Sequence, residues 1–386
     1  MDSSMKVAVI GAGTMGSGIA QVAAQAGHPV VLFDTRMEAV DKALAGLRKT
    51  LDKLVEKGKL TAEQADGIHG RITPASDLKD LTDSGLVIEA IIEDLGIKQK
   101  LFAELEVILS ADAVLASNTS SLSVTAIAGG LKHPERMVGL HFFNPAPLLP
   151  LVEVVPGLAT EDGLPARMTA LMQAWGKVPV LCKDTPGFIV NRVARPFYGE
   201  AIRIYEEGIA DMYTIDAAMK SVGFKMGPFE LMDLIGNDIN FTVTKTVWEA
   251  FFYDPRYKPS FTQQRQVESG RLGRKSGRGY YTYADGAMLS FPAVEQAVAA
   301  PIVERILAML INEAADALFW QVASATDIDL AMTKGVNYPK GLLAWADEQG
   351  AQHWLGVLER LQATYGEDRY RPSPLLRSGI NAHSLE

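Results

Sequence analysis

The segment from Lys6 to Asp34 constrains the fold more than any other part of the chain. Lys6 to Ile10 is a short buried-strand pattern, and Gly11-Ala12-Gly13-Thr14-Met15-Gly16 follows at once. A helical run from Ser17 to Ala26 comes next, Gly27 stops it, and Pro29 to Phe33 reads as a second strand ending in Asp34. Strand, glycine turn, helix, strand and acid is the order of a dinucleotide-binding unit. Gly11 permits the tight turn, Gly13 lets the backbone approach a pyrophosphate, and Gly16 lets helix and strand pack closely, while the helix N-terminus faces the phosphate charge. A glycine-rich turn alone is a weak signal. Here a strand precedes it, a helix follows it, and an acid stands 18 residues after the last glycine. Asp34 is placed to bind ribose hydroxyls and to repel a 2′-phosphate, which selects NAD over NADP, and Arg36 reads as a solvated loop charge.

After Asp34 the pattern inserts a helical stretch from Met37 to about Lys57 and a second from Thr61 to Ile68. The basic residues of this insertion form either a solvated face or a holder for a polyanionic substrate tail. Then follow the strand Leu86 to Glu89, a helix Asp94 to Leu109, the strand Ala113 to Ala116, a helix from about Val124 and the strand Met137 to Phe142. Such alternation predicts a Rossmann-type, doubly wound parallel sheet covered on both faces, with ligands bound beyond the C-terminal strand ends. Polar residues gather at those ends: Glu93 and Lys98, then Asn118-Thr119-Ser120-Ser121, then His141-Phe142-Phe143-Asn144-Pro145. A lone histidine on an apolar strand is ordinarily structural. Glu153, in the apolar run Leu151 to Val155, shifts the balance, because a carboxylate on a neighbouring strand can fix the imidazole tautomer and stabilise its cation. No second histidine or cysteine stands at ligand spacing, so no metal is expected.

Composition narrows the class. The 386 residues suggest two or three domains, and 48% hydrophobic against 22% charged residues is the balance of a globular chain, which excludes disorder. A net charge of -9 without a dense basic block argues against nucleic acid as a partner. The single cysteine, Cys182, reads as a small buried apolar residue after the strand Val178 to Leu181, and such a chain suits the reducing cytosol. Glu89 interrupts the run Leu86 to Ile92, and charges interrupt Ile302 to Leu318, so no membrane span is expected. The segment Met1 to Lys6 is unlike a secretory leader, and a cytoplasmic location is the expectation.

Asn118-Thr119-Ser120-Ser121-Leu122, His141-Phe142-Phe143-Asn144-Pro145, Leu151-Val152-Glu153-Val154 and Lys183-Asp184-Thr185-Pro186-Gly187-Phe188-Ile189-Val190-Asn191-Arg192 together resemble the 3-hydroxyacyl-CoA dehydrogenases. The likeness runs from Lys6 to about Tyr283, with Met226-Gly227-Pro228-Phe229-Glu230-Leu231 and Gly273-Arg274-Lys275-Ser276-Gly277 inside it. It implies oxidation of (S)-3-hydroxyacyl-CoA to 3-oxoacyl-CoA with hydride transfer to NAD. It also implies His141 as the general base, Glu153 as its orienting partner, and Ser120 and Asn191 as the groups that position the substrate oxygen and the histidine. Besides the glycines and Asp34, it assigns Thr14, Met15, Glu93, Lys98, Asn118, Asn144 and Lys275 to the cofactor. Thr50 and Lys57 match positions that contact CoA, as does Ser120, and Thr50 replaces a serine common in the family.

Downstream the chain is helical by pattern. Thr185 can cap and Pro186 can start a long helix with the stripe Val190, Val193, Ala194, Phe197, Ala201, Ile204 and Tyr205. Shifted by 113 residues, that stripe reappears as Val303, Ile306, Leu307, Leu310, Ala314, Ala317 and Leu318. Arg192 then falls on Arg305, Glu200 on Glu313, Asp216 on Asp329 and Met219 on Met332; after one inserted residue, Gly227 falls on Gly341, Asp233 on Asp347 and Gly236 on Gly350. These coincidences predict two related all-α domains after the sheet domain, divided as 1–185, 186–285 and 295–380, with a compressed spacer around 285–300. Glu304 stands at the position of Asn191, so the second copy is degenerate and not catalytic. It is expected to pack on the first as a pseudo-dimer within a monomer, with a homodimer as the other arrangement.

The tandem form resembles the longer bacterial enzymes of phenylacetate degradation that act on 3-hydroxyadipyl-CoA, with Gly335-Val336-Asn337-Tyr338-Pro339 among the shared segments. Fatty-acid β-oxidation with 3-hydroxybutyryl-CoA fits equally. Two other readings stay open at this point: a redox-inactive nucleotide-binding relative, and an NAD-linked dehydrogenase of free β-hydroxy acids.

Overall fold

Four-residue strands of wholly buried side chains build the first part of the protein, because strands covered on both faces have no side that faces water. In chain order the elements are β1 (Val7–Ile10), α1 (Thr14–Gln25), β2 (Val30–Phe33), α2 (Met37–Glu56), α3 (Ala62–Gly70), β3 (Ile72–Ala75), β4 (Leu86–Glu89), α4 (Leu95–Ile108) and β5 (Val114–Ser117). Then come α5 (Val124–Ala128), β6 (Met137–Phe142), β7 (Leu151–Pro156), α6 (Leu164–Ala174) and β8 (Val178–Leu181). The strands form one sheet in the order β3-β2-β1-β4-β5-β6-β7-β8. This is a computed structural model describing residues 4–283, 289–379 and 381–385. Residues 1–3, part of the expected spacer and the expected domain limit at 285 lie outside the described residues.

Two features correct the expected sheet. β6 and β7 pair antiparallel, His141 opposite Glu153, within a sheet whose other pairings are parallel. The connection between them is too short for a crossover, so the chain can only turn back on itself. β3 went unread because Thr73 and Pro74 are exposed and break the apolar run. It pairs only with β2, and a proline is tolerated on such an edge because its missing N–H need not serve a further strand. α1 begins at Thr14, before the expected Ser17, with Gly13 as its cap residue. The inserted α2 buries Val40, Leu47 and Leu51, and α3 starts from a capping box in which Thr61 and Gln64 satisfy each other's backbone amides.

The chain divides into two compact units, Met1–Thr185 and Pro186–Glu386. The second contains α7 (Val190–Val193), α8 (Arg195–Glu206), α9 (Met212–Ser221), α10 (Pro228–Ile235), α11 (Asn237–Ala250), α12 (Phe261–Glu268), α13 (Gln296–Phe319), α14 (Ala325–Gly335), α15 (Leu342–Gln349), α16 (Ala351–Tyr365) and α17 (Pro374–Ser378). The expected long helix from Pro186 starts instead at Val190, after Gly187 and Phe188 take positive φ, and is broken between α7 and α8, where Pro196 removes an amide. Its repeat counterpart α13 runs unbroken for 24 residues and is buried on nearly all sides.

The repeat continues element by element, α9 to α11 matching α14 to α16. Asp216 accepts from the amides of Phe229 and Glu230 at the start of α10, and Asp329 accepts from those of Leu343 and Ala344 at the start of α15. A Cβ on Gly227 would lie 2.3 Å from Asp216, and one on Gly341 would lie 2.2 Å from Asp329, which is why both copies keep glycine there. Asp233 takes the Tyr280 and Tyr281 amides, and Asp347 takes those of Ala382 and His383. No helix among the described residues is long and apolar enough to cross a membrane.

Candidate active site

The glycine loop is shaped by contacts that admit no side chain at two of its three glycines. Gly11 has φ +103°, and a Cβ on it would lie 2.5 Å from the Ala90 carbonyl oxygen. A Cβ on Gly16 would come to 1.7 Å from the Gly11 oxygen, so Gly16 closes the loop on itself as well as on β1. Gly13 is different: nothing lies within 4 Å of the position a Cβ would take, and the residue faces open space at the head of α1. No side chain caps that helix, and its first turn contains no acid. An open cradle of amides at a positive helix end fits a pyrophosphate. Asp34 is half-buried at the end of β2 and ties the loop down, accepting from the Ala12 amide at 2.9 Å and the Arg36 amide at 3.1 Å. Arg36 is exposed.

His141 and Glu153 meet because the β6–β7 register puts them opposite each other. His141 Nδ1 lies 2.6 Å from Glu153 Oε2, with the histidine 6% and the glutamate 0% exposed. A buried carboxylate at that distance takes the Nδ1 hydrogen, which leaves Nε2 as the acceptor nitrogen. Phe143 packs against the imidazole at 4.4 Å between ring centroids. Asn118 Oδ1 accepts from the Phe142 amide at 2.8 Å and so pins the end of β6 to the end of β5. Lys177, which the sequence reading missed, sends its buried ammonium to the carbonyls of Ala146 and Leu149, holding the loop that follows His141. Burial pulls this ammonium below the usual lysine range. Asn144, in the same loop, is exposed.

Glu93 organises the loop after β5. Its Oε1 accepts from the Thr119 hydroxyl at 2.6 Å, the Ser120 amide at 2.9 Å, and the Ser121 amide and hydroxyl at 3.1 and 3.0 Å. Burial works to raise this carboxyl, but the Lys98 charge and the hydrogen bonds from Thr119, Ser120 and Ser121 outweigh it and hold it below the usual range. Lys98 is itself buried and lies 3.2 Å from Glu93 Oε2 and 2.5 Å from Glu89 Oε1. Glu89 was also missed as a site residue; its signal was a charge ending a strand that is otherwise all apolar. Ser120 is half-buried at the centre of this loop.

Thr50 is exposed on α2, donating its hydroxyl to the Gly46 carbonyl, and Lys57 is exposed just beyond the helix end. Seven residues apart, they stand about two turns from each other. Arg48 is committed to Asp52 and Asp66. In the helical unit, Asn191 lies on the short α7, and Lys275 pairs with Asp238 at 2.6 Å. Cys182 is buried. Among the described residues there is no group of three or more histidine, cysteine, aspartate or glutamate side chains that could hold a metal ion.

Comparison with known proteins agrees with this geometry. The family described as "3-hydroxyacyl-CoA dehydrogenase, NAD binding domain" matches residues 6–185. The one described as "3-hydroxyacyl-CoA dehydrogenase, C-terminal domain" matches 187–283 and 302–386, so both helical copies are covered. A 3-hydroxyadipyl-CoA dehydrogenase of Escherichia coli (strain K12) is 43% identical, with 96% of each chain aligned. That alignment extends over 457 positions against a chain of 386 residues, so the relative has segments this chain lacks. A 3-hydroxybutyryl-CoA dehydrogenase of Mycobacterium tuberculosis (strain H37Rv) is 43% identical across 73% of this chain and 99% of its own. Among solved structures, 3-hydroxybutyryl-CoA dehydrogenase from Escherichia coli K12 superposes with a TM-score of 0.92 at 41% identity, covering 99% of this chain and 100% of that one.

Proposed function

The chain belongs to the 3-hydroxyacyl-CoA dehydrogenase family, and on that footing we propose that it oxidises (S)-3-hydroxyacyl-CoA to 3-oxoacyl-CoA with His141 as general base. The buried His141–Glu153 pair at 2.6 Å carries this reading. Bound NAD supplies the hydride acceptor, and the protein is left to align two carbons and to accept one proton. Nε2 of His141 takes the proton of the 3-hydroxyl group as the C3 hydride departs. Glu153 keeps Nδ1 protonated and stabilises the imidazolium that results. Ser120 and Asn191 supply neutral donors to the substrate oxygen, where negative charge develops.

For the cofactor, Gly11, Gly13, Thr14, Met15 and Gly16 cradle the pyrophosphate and Asp34 selects NAD. Glu93, Lys98, Asn118, Asn144 and Lys275 complete the assignment. The exposure of Thr50 and Lys57 supports their role as CoA contacts. The substrate is 3-hydroxybutyryl-CoA or 3-hydroxyadipyl-CoA, in fatty-acid β-oxidation or phenylacetate-type degradation, and the location is cytoplasmic.

The division into 1–185, 186–285 and 295–380 makes the last part a non-catalytic copy that covers the first helical domain as a partner subunit would. Arg192–Glu313 and Arg305–Glu200, a pairing each copy makes with the other, support that internal pseudo-dimer. Removing the residues after 283 is expected to leave a chain that dimerises or aggregates.

The deciding experiment follows NADH absorbance with acetoacetyl-CoA, comparing the unaltered protein with His141→Gln and Glu153→Gln. Losses of about 10²-fold or more in kcat are expected for His141→Gln. Near-full turnover in either variant refutes the assignment. A panel of 3-hydroxybutyryl-, medium-chain 3-hydroxyacyl- and 3-hydroxyadipyl-CoA then separates the substrates.

A further inference from the structure

Glu89 is the last residue of β4, in register with Ile10 at the end of β1 and with Ser117 at the end of β5. It therefore stands between the strand that enters the glycine loop and the strand that enters the Ser120 loop. The side chain is wholly buried, a place where a carboxylate persists only when its charge is paired and its lone pairs are occupied. Both conditions hold. Oε1 accepts from the Lys98 ammonium at 2.5 Å and the Ile91 amide at 2.7 Å, and Oε2 accepts from the Ser117 hydroxyl at 2.6 Å.

The contacts continue from there without a gap. Lys98, 1% exposed, bridges from Glu89 to Glu93, whose other oxygen gathers the Thr119 hydroxyl and the Ser120 and Ser121 amides. The circuit closes where the Thr119 amide donates to the Ser117 hydroxyl at 3.2 Å. Ser120 is thus fixed at its backbone by a carboxylate that is fixed by an ammonium that is fixed by Glu89.

From this circuit we propose that Glu89 is a positioning residue for Ser120, acting through Lys98 and Glu93. Two carboxylates share one ammonium, so the cluster carries one net negative charge. Neutralising Glu89 leaves Lys98 with Glu93 as its sole charged partner and draws Glu93 away from the three residues it holds. Ser117 loses its acceptor in the same event, which frees the second anchor of the loop. The inference rests on the reading of Ser120 as a substrate-positioning group, and its test separates the two.

Glu89→Gln keeps the size of the side chain and removes its charge. In a double-mutant cycle with Ser120→Ala, Glu89→Gln is expected to lower kcat about tenfold in the unaltered background and less than about twofold once Ser120 is alanine. Equal losses in both backgrounds overturn the proposal. Amide hydrogen exchange of the cofactor-free protein gives a readout independent of turnover. Residues 118–122 should exchange about tenfold faster in Glu89→Gln, while β1 and β2 stay protected. Unchanged exchange at 118–122 also overturns it. Faster exchange there, together with a Ser120→Ala variant of undiminished activity, upholds the positioning circuit and refutes the catalytic reading of Ser120 instead. Should Glu89→Gln fail to fold, Ser117→Ala removes one acceptor contact without touching the charge. The same cycle and exchange measurement then apply: a loss that depends on Ser120, with faster exchange at 118–122, upholds the circuit, and equal losses or unchanged exchange overturn it.

Discussion

Arg192 donates from Nε to Glu313 at 2.5 Å in the interior of the helical unit, and Arg305, its counterpart 113 residues on, donates from Nε to Glu200 at 3.0 Å. The tyrosines repeat the exchange: Tyr257 donates its hydroxyl to Glu313, and Tyr370 donates to Glu200. When residue i of one copy meets residue j of the other and j returns the contact to i, the two copies are related by a local twofold axis. The symmetry is not complete. Arg203 backs Glu200, whereas its counterpart Asp316 joins Glu313 in holding Arg256.

Both glutamates are fully buried, so removing either charge strands an arginine in the interior. Glu313→Gln and Glu200→Gln are each expected to cost about 3–5 kcal/mol of stability. Urea denaturation of the whole protein measures this. A loss under about 1 kcal/mol in both would refute the pairing as a structural element.

Acid should unfold the protein through these same groups. Burial works to raise the Glu313 carboxyl, but the Arg192 and Arg256 charges outweigh it and hold it below its ordinary value. Asp254 is likewise held low, against the effect of burial, by Arg371 and the Arg256 amide. A depressed carboxyl means the unfolded chain binds more protons, so this stability is full above about pH 4.5 and is lost as pH falls through the folded values. Asp216 runs the other way: burial raises it to about 7, so its contribution is full below about pH 4 and declines toward neutrality. Melting temperature against pH should therefore fall steeply below pH 4. Glu313→Gln should flatten that acid limb, and Asp216→Asn should flatten the gentler slope between about pH 4 and 7.

The glycines of the loop should separate by phenotype. Gly16→Ala puts a methyl 1.7 Å from the Gly11 oxygen and should lower both folding stability and NAD affinity. Gly13→Ala meets no atom within 4 Å in the protein, so it should leave the melting temperature of the cofactor-free chain within a few degrees while weakening NAD binding tenfold or more. Intrinsic fluorescence titration with NADH, beside a thermal melt, distinguishes the two. Equal behaviour would mean that the pyrophosphate does not approach Gly13.

Asp34 does two jobs, since its Oδ2 holds the Ala12 amide. Asp34→Ala should relax the choice between NAD and NADP and also reduce the affinity for both. Ratios of kcat/KM for the two cofactors give the first effect, and an unchanged preference for NAD removes Asp34 from the assignment. Asp34→Asn, which keeps an acceptor for Ala12, should recover affinity without recovering the preference.

Much of this was legible in order along the chain. The glycine turn was, because steric limits at Gly11 and Gly16 act within a few residues. The repeat was, because Asp216 and Asp329 each cap a helix next to a glycine that cannot bear a methyl, and the same local demand leaves the same residues 113 apart. His141 and Glu153 could be named as candidates, but only the antiparallel turn of β7 put them opposite each other, where a parallel strand would have offered a different register. Glu89 and Lys177 were passed over because a charge in an apolar strand has no meaning until its partner is known. Lys98 lies a helix turn beyond the next loop, and the carbonyls held by Lys177 lie about thirty residues before it. The sequence by itself therefore determined the cofactor loop, the alternation of the sheet domain and the duplicated helices, all set by local sterics and periodicity. The tertiary structure alone decided which buried charges meet, because burial makes pairing obligatory and only the folded chain brings the partners together.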